Sequence, residues 1–297
     1  MSKITKVKAR QVFDSRGNPT IEAEVFTKNN SAIAICPSGA STGTYEAFEK
    51  RDKNNQRYLG KSVLKAINLV NSKISKKLKG QNIHNQERID ALMINLDGTR
   101  QKTKLGANSI LAVSMAAKKL SAKIRKLPLY KTFLIKNNYK LPYPLMNIIN
   151  GGAHANNGLR IQEFMIRPDR ARNFSDAMRI CFLVIKNLSK LIKTKGLSTS
   201  VGDEGGFAPS FKGTEDALET IIKSVSAAGY ILEKDIKIAL DCAASEFYKN
   251  GNYDYTIFEK KQGKLISSSE QIDYLSSLAS KYPIISIEDG MDENDWD

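Results

Sequence analysis

The sequence predicts two folds in series: an α+β domain over residues 1–140 and the first part of an α/β barrel over 141–297. Three observations carry this. Residues 4–36 alternate like half-buried strands, with helical patterns after them, as in an α+β domain. Two prolines in Leu141-Pro142-Tyr143-Pro144 forbid regular helix and mark a boundary. Beyond it, short apolar runs alternate with helical stretches, the pattern of βα units around a buried sheet.

The elements follow in order. In Thr20–Thr27, Ile21, Ala23 and Val25 share one face, and Glu22, Glu24 and Phe26 the other. The preceding DSRGNP (Asp14–Pro19) is rich in turn formers. Residues 61–78 place Leu64, Ile67, Val70, Ile74 and Leu78 at helical spacing, and residues 108–125 do the same with Leu111, Met115, Leu120 and Ile124. The later apolar runs are 144–149, 162–166, 236–240 and 283–287, with helices at about 175–194, 214–228 and 268–280.

Composition excludes several classes. No run of 18 apolar residues occurs, and MSKITKVKAR has no apolar stretch after its basic flank, so neither a membrane span nor a secretory signal is expected. Cys36, Cys181 and Cys242 are odd in number and widely spaced, which argues for a reducing cytoplasm over a disulfide framework or zinc site. The formal charge of +15 admits a polyanion partner. Lys76, Lys77, Lys79, Lys118, Lys119, Lys260 and Lys261 are scattered rather than gathered in one arm, as AT-rich coding would produce. That reading leaves room for a small anionic substrate.

The polar residues beside the apolar runs bear the chemistry. Asp241 follows 236–240, Glu288-Asp289 follows 283–287, and Glu163 stands beside Gln162 in 162–166. Carboxylates beyond parallel barrel strands lie at the mouth where catalytic groups collect. Each alone could be a helix cap. Several converging on one mouth repel one another, and such oxygen ligands suit Mg²⁺. Asp203 and Glu204 lie in the glycine-flanked SVGDEGGFAP (Ser200–Pro209), which on pattern alone is equally an acidic surface turn. NGGAHANN (Asn150–Asn157) holds His154, while His84 reads as a surface residue. PSGASTGTYEA (Pro37–Ala47) reads as a mobile loop able to close on a charged substrate, or else a linker; it lacks the Gly-Lys-Ser/Thr of a phosphate-binding Walker loop.

Taken together, DSRGNPTIEAEV, PSGASTGTYEA, LDGT (Leu96–Thr99), GANSILAVSMA, MNIINGGAHANN, IQEFMI, VGDEGGFAP, LDCAASEFY and SIEDGMDENDWD resemble the motifs of the enolases, in family order and over the whole chain. The wording of the last looks bacterial. The resemblance implies a Mg²⁺-dependent lyase that dehydrates 2-phosphoglycerate to phosphoenolpyruvate in glycolysis, cytoplasmic, with a cell-surface or secreted pool in some members. It implies Asp241 and Glu288 as metal ligands, Ser41 as a loop ligand to a second Mg²⁺, and Glu204 as general acid with Glu163 in the same network. Gln162, His154 and Ser41 match substrate-contacting positions. Glu204 is expected to have a raised pKa from neighbouring carboxylates.

The family's third metal-binding aspartate, catalytic lysine and His-Arg-Ser phosphate segment follow SIED and have no counterpart here. The 156 residues after Leu141 compare with about 250 for an eight-fold barrel, so roughly half the strands are expected to be missing and the chain inactive alone. The resemblance also implies a homodimer when intact and, as an alternative role, a non-catalytic scaffold in an RNA-decay assembly or an RNA-binding protein.

Overall fold

A computed structural model describes residues 2–39, 42–133, 139–259 and 263–297. Ser41 and the Lys260-Lys261 pair lie outside the described residues. The chain divides into two compact units, residues 1–138 and 139–297.

The first unit is a three-stranded antiparallel sheet covered by helices. Strand β1 (Lys6–Phe13) pairs with β2 (Pro19–Phe26), and β2 with β3 (Ser31–Cys36). The β1–β2 turn is closed by Asp14, whose Oδ1 accepts the amides of Arg16 and Asn18, both at 2.9 Å. Ile21, Ala23 and Val25 are fully buried on the predicted face.

The predicted 61–78 helix comes in three pieces. These are α1 (Leu64–Leu69), a wider π-type turn (Val70–Ile74) and α2 (Ser75–Leu78). Ile67, Val70, Ile74 and Leu78 all point into the core. Asn71 and Ser75 reach the edge of β1: the Ala9 amide donates to Asn71 Oδ1 at 2.7 Å and the Val7 amide to Ser75 Oγ at 3.1 Å. A sheet edge that would otherwise be open is thereby satisfied.

Helix α3 (Gln86–Asp97) is capped by the Asn85 side chain and ends at left-handed Gly98. His84, just before it, is not a free surface residue. It is half-buried, with Nδ1 2.9 Å from Ser121 Oγ, and burial together with the Arg125 charge pushes its pKa down.

Helix α4 (Ala107–Ile124) lies on β2 and β3; Leu120 is buried and Met115 and Ile124 pack against the core as expected, but Leu111 does not. Leu111 is 50% exposed, whereas Ala112, Val113, Ala116, Ala117 and Leu120 are buried. Small side chains let the helix axis approach the sheet closely, which the larger Leu111 would prevent.

The second unit builds its main sheet from β4 (Met146–Asn150), β5 (Glu163–Arg167), β6 (Lys237–Asp241) and β10 (Ile284–Glu288). Between them run α5 (Phe174–Thr194), α6 (Thr214–Ala227) and α8 (Ser268–Lys281). A small three-stranded sheet intervenes, of β7 (Tyr248–Lys249), β8 (Asn252–Asp254) and β9 (Leu265–Ile266), with the short α7 (Thr256–Glu259) between β8 and β9. Nothing in the apolar periodicity points to this sheet. It packs through its tyrosines, with Tyr253 and Tyr255 buried against Phe247.

The main sheet has the order β10-β6-β5-β4 and does not close among the described residues. Its strand directions correct the expectation of uniform βα units. β6 and β10 are parallel, but β5 is antiparallel to both β4 and β6. The connection fits this: β4 and β5 are joined by 12 residues containing no α-helix, so no helical crossover carries the chain back to a parallel strand. Phe164, Ile166, Ile238 and Leu240 form a core with Ile180, Val184, Leu188, Ile221 and Val225 of α5 and α6.

Candidate active site

Strand reversal is what assembles the site. Because β5 runs against its neighbours, its first residue lies at the end where β4, β6 and β10 finish. The register then sets Asn150 opposite Glu163, Glu163 opposite Asp241, and Asp241 opposite Glu288. Three carboxylates thus stand in one row across three adjacent strands, spaced by about 5 Å per strand.

Glu204 reaches the same end from a loop. The amide of Phe207 donates to Ile148 O at 3.0 Å and the amide of Asn150 to Phe207 O at 2.9 Å, fixing the loop alongside β4. Glycine is required for this approach. A Cβ on Gly202 would lie 2.8 Å from Asn150 Cβ and 2.9 Å from His154 O, and one on Gly206 2.8 Å from Asn150 Oδ1. The Asn157 side chain, buried, ties the two loops from behind: its Nδ2 donates to Asn150 O at 2.9 Å and to Pro209 O at 3.1 Å.

His154, Glu163 and Glu204 each offer a ligand atom within 4.8 Å of the others, a group able to hold a metal ion. His154 Nδ1 lies 3.3 Å from Glu204 Oε2, close enough for charge attraction but off the line of a hydrogen bond, so that buried nitrogen has no hydrogen-bond partner. Asn147 Nδ2 donates to the same Oε2 at 3.3 Å.

The carboxyls of Glu163 and Glu204 lie side by side and act on each other's charge. Burial, the hydrogen bond from Glu163 to Glu204, and the charges of Glu204, Asp241 and Glu288 push Glu163 up to about 8. Glu204 moves the other way, held below its ordinary value by that hydrogen bond and by His154 and Asn147, against its own partial burial. The expectation of a raised Glu204 is thus corrected: the raised group is its partner, because Glu163 is deeper and faces more negative charge. Asp241 is raised to about 6, chiefly by burial and then by Glu288, Asp289 and Glu204, against the Ala243 amide it accepts at 2.9 Å.

The remaining predicted residues fall around this row. Gln162 is buried beside it, its amide donating to Asp241 O at 3.0 Å and its Oε1 unpartnered. Glu288 is exposed at the end of β10. Asp203 stands on the exposed side of its turn.

Sequence reasoning missed Asn147. Its polarity within the apolar 144–149 run was the available signal. Nor did it find the left-handed backbone at Ala243 and Asp289, both at φ +46°, which turns the chain sharply after Asp241 and Glu288.

The donor set fits a hard divalent cation. Carboxylates with raised pKa values crowd together, and the buried Asn147 Oδ1, Asn150 Oδ1 and Gln162 Oε1 all lack a partner. Among the described residues no lysine or arginine forms an ion pair with Glu163, Glu204, Asp241 or Glu288.

Comparison with known proteins gives one answer across the chain. Residues 4–133 match the family "Enolase, N-terminal domain" and residues 138–297 "Enolase, C-terminal TIM barrel domain". The protein named "Enolase" from Pelagibacter ubique (strain HTCC1062) is 69% identical over 296 residues, spanning 100% of this chain and 70% of that protein. This chain belongs to the enolase family, whose members are carbon–oxygen lyases.

Proposed function

We propose that this chain carries the metal and acid–base residues of a reversible, Mg²⁺-dependent dehydration of 2-phospho-D-glycerate to phosphoenolpyruvate, in cytoplasmic glycolysis. The observation that supports it best is the Glu163–Asp241–Glu288 row, with Glu204 and His154 each bringing a ligand atom within 4.8 Å of Glu163.

Dehydration transfers a proton from C2 to a base, which none of the residues named here supplies, and removes hydroxide from C3 of the substrate. The first is very weakly acidic and the second a poor leaving group. Glu204, 38% exposed at its side chain, is the group that meets the C3 hydroxyl. Glu163 is the proton store behind it. Its proton passes along the hydrogen bond to Glu204 and from there to the departing hydroxide, which leaves as water. Both carboxylates then carry charge, with His154 Nδ1 3.3 Å from Glu204 Oε2. Asp241 and Glu288 would hold Mg²⁺, with Ser41 as the ligand to a second ion. Bound there, the metal supplies Lewis-acid stabilisation of the negative charge that builds on the substrate carboxylate. Gln162 and His154 orient the substrate, the buried Gln162 Oε1 being free to accept from it. A homodimer is supported by the uncovered outer face of the first unit's sheet, where Ile33 and Ile35 are exposed.

Calorimetric titration of Mg²⁺ and then 2-phosphoglycerate into the chain tests this reading. Binding of both, with Asp241→Asn abolishing the metal step, is expected. Metal binding that survives both Asp241→Asn and Glu288→Gln would overturn the assignment.

A further inference from the structure

Charge is divided very unevenly between the two units. Residues 1–138 hold 27 Lys and Arg against 9 Asp and Glu, a formal +18, while 139–297 hold 19 against 22, a formal −3. A coding bias towards lysine acts on both halves alike, so it does not account for the difference. The basic residues are also not scattered along the chain. No acidic residue occurs between Asp52 and Glu87, a stretch with eight Lys and Arg.

That stretch contains the α1–α2 segment, and the fold decides where its charges point. Val63, Ala66, Ile67, Val70, Ile74 and Leu78 are buried. Lys65, Lys73, Lys76 and Lys77 are all exposed, on the face opposite the buried row, with Lys61 and Lys79 exposed at its two ends. The wider π-type turn at Val70–Ile74 adds a residue per turn and keeps both rows in line past the middle. Among the described residues no lysine of this unit lies within 4 Å of a carboxylate. From Lys61 to Lys79 the row runs roughly 27 Å at 1.5 Å per residue. Unpaired like charges so aligned repel one another, and they match a ligand with repeating negative charge.

We propose that this lysine row binds the phosphate backbone of nucleic acid without sequence preference. Lysine supplies point charges for phosphates, and between Lys61 and Lys79 no exposed aromatic or large apolar side chain interrupts the row, exposed Tyr58 and Leu59 lying just before it. The surface is built from the first unit alone and uses no residue of the candidate active site.

The test is fluorescence anisotropy of the full chain with a labelled 20-nucleotide single-stranded RNA, at several salt concentrations. Lys65→Gln, Lys73→Gln, Lys76→Gln and Lys77→Gln are combined in one variant. A control variant combines Lys186→Gln, Lys190→Gln, Lys193→Gln and Lys223→Gln, exposed lysines of α5 and α6 in the second unit. Glutamine keeps the helix propensity of lysine, so both variants fold. The expected result is binding at low salt whose log–log salt slope falls by about 3 in the first variant, about 0.7 per lost phosphate contact, with no change in the control. Equal losses in the two variants would overturn the proposal, as would no binding at 50 mM salt. Capture by anionic phospholipid vesicles but not by RNA would also overturn it, in favour of a membrane surface.

Discussion

Two buried carboxylate environments in this protein lie at opposite extremes. In the first unit, Asp97 is fully buried and surrounded by donors. It accepts the amides of Thr99 at 3.0 Å and Leu105 at 2.7 Å, and the Thr99 hydroxyl. Burial alone would raise its pKa, yet these hydrogen bonds prevail and hold it below the ordinary value. In the second unit, Glu163 and Asp241 are surrounded mainly by other carboxylates and are raised. Burial opposes the charge in both places. The difference lies in the partners: a carboxylate ringed by donors closes a loop, and one ringed by acceptors waits for a cation or a proton.

The comparison can be broken in several places. The largest effect is on chemistry: Glu204→Gln and Glu163→Gln are each expected to lower phosphoenolpyruvate formation by the protein purified from its own cells about 10²- to 10⁴-fold. Near-normal turnover in either variant would remove that residue from the proton path. Next, Asp97→Ala, which touches no part of the proposed chemistry, should cost about 3 kcal/mol of stability in urea unfolding, since three donors lose a charged acceptor. A loss below about 1 kcal/mol would mean that water replaces it.

A smaller effect concerns pH. A carboxyl raised in the folded state binds more protons there than when unfolded, so its stability contribution is full below about pH 4.3 and lost as pH rises through its folded value. For Glu163, raised to about 8, the metal-free chain should lose about 1–2 kcal/mol between pH 5 and 8, after allowance for solvent screening. Glu163→Gln, or saturating Mg²⁺, should flatten that slope. An unchanged slope in both cases would place the raised group elsewhere. The smallest effect is on backbone: Ala243→Gly should add about 0.5–1 kcal/mol by relieving the left-handed φ after Asp241, readable as a small rise in Tm.

Much of this was legible in the chain itself. Apart from α3, which the sequence reading did not expect, the longer strands and helices of both units fall where the apolar patterns place them, because one face of each element must be buried. Small elements escaped: the β7–β9 sheet consists of two- and three-residue strands, too short to show a period. On α4 only Leu111 departs from the expected face: it weighs more on a hydrophobic scale than Ala112 or Ala116, while closeness of approach favours the alanines. The π-type turn likewise has no signal in spacing alone.

What the sequence determined by itself was the set of chemical groups, since the ordered motifs name Glu163, Glu204, Asp241, Glu288 and His154 without any coordinates. Their arrangement came only with the tertiary structure. Asp241 and Glu288 end their strands and Glu163 begins one. Only the antiparallel reversal of β5 puts all three in one row. Which of the two carboxyls is pushed up was likewise beyond the sequence, for Glu163 and Glu204 have the same side chain. The choice depends on depth of burial and on the number of negative neighbours, and both are properties of the folded chain.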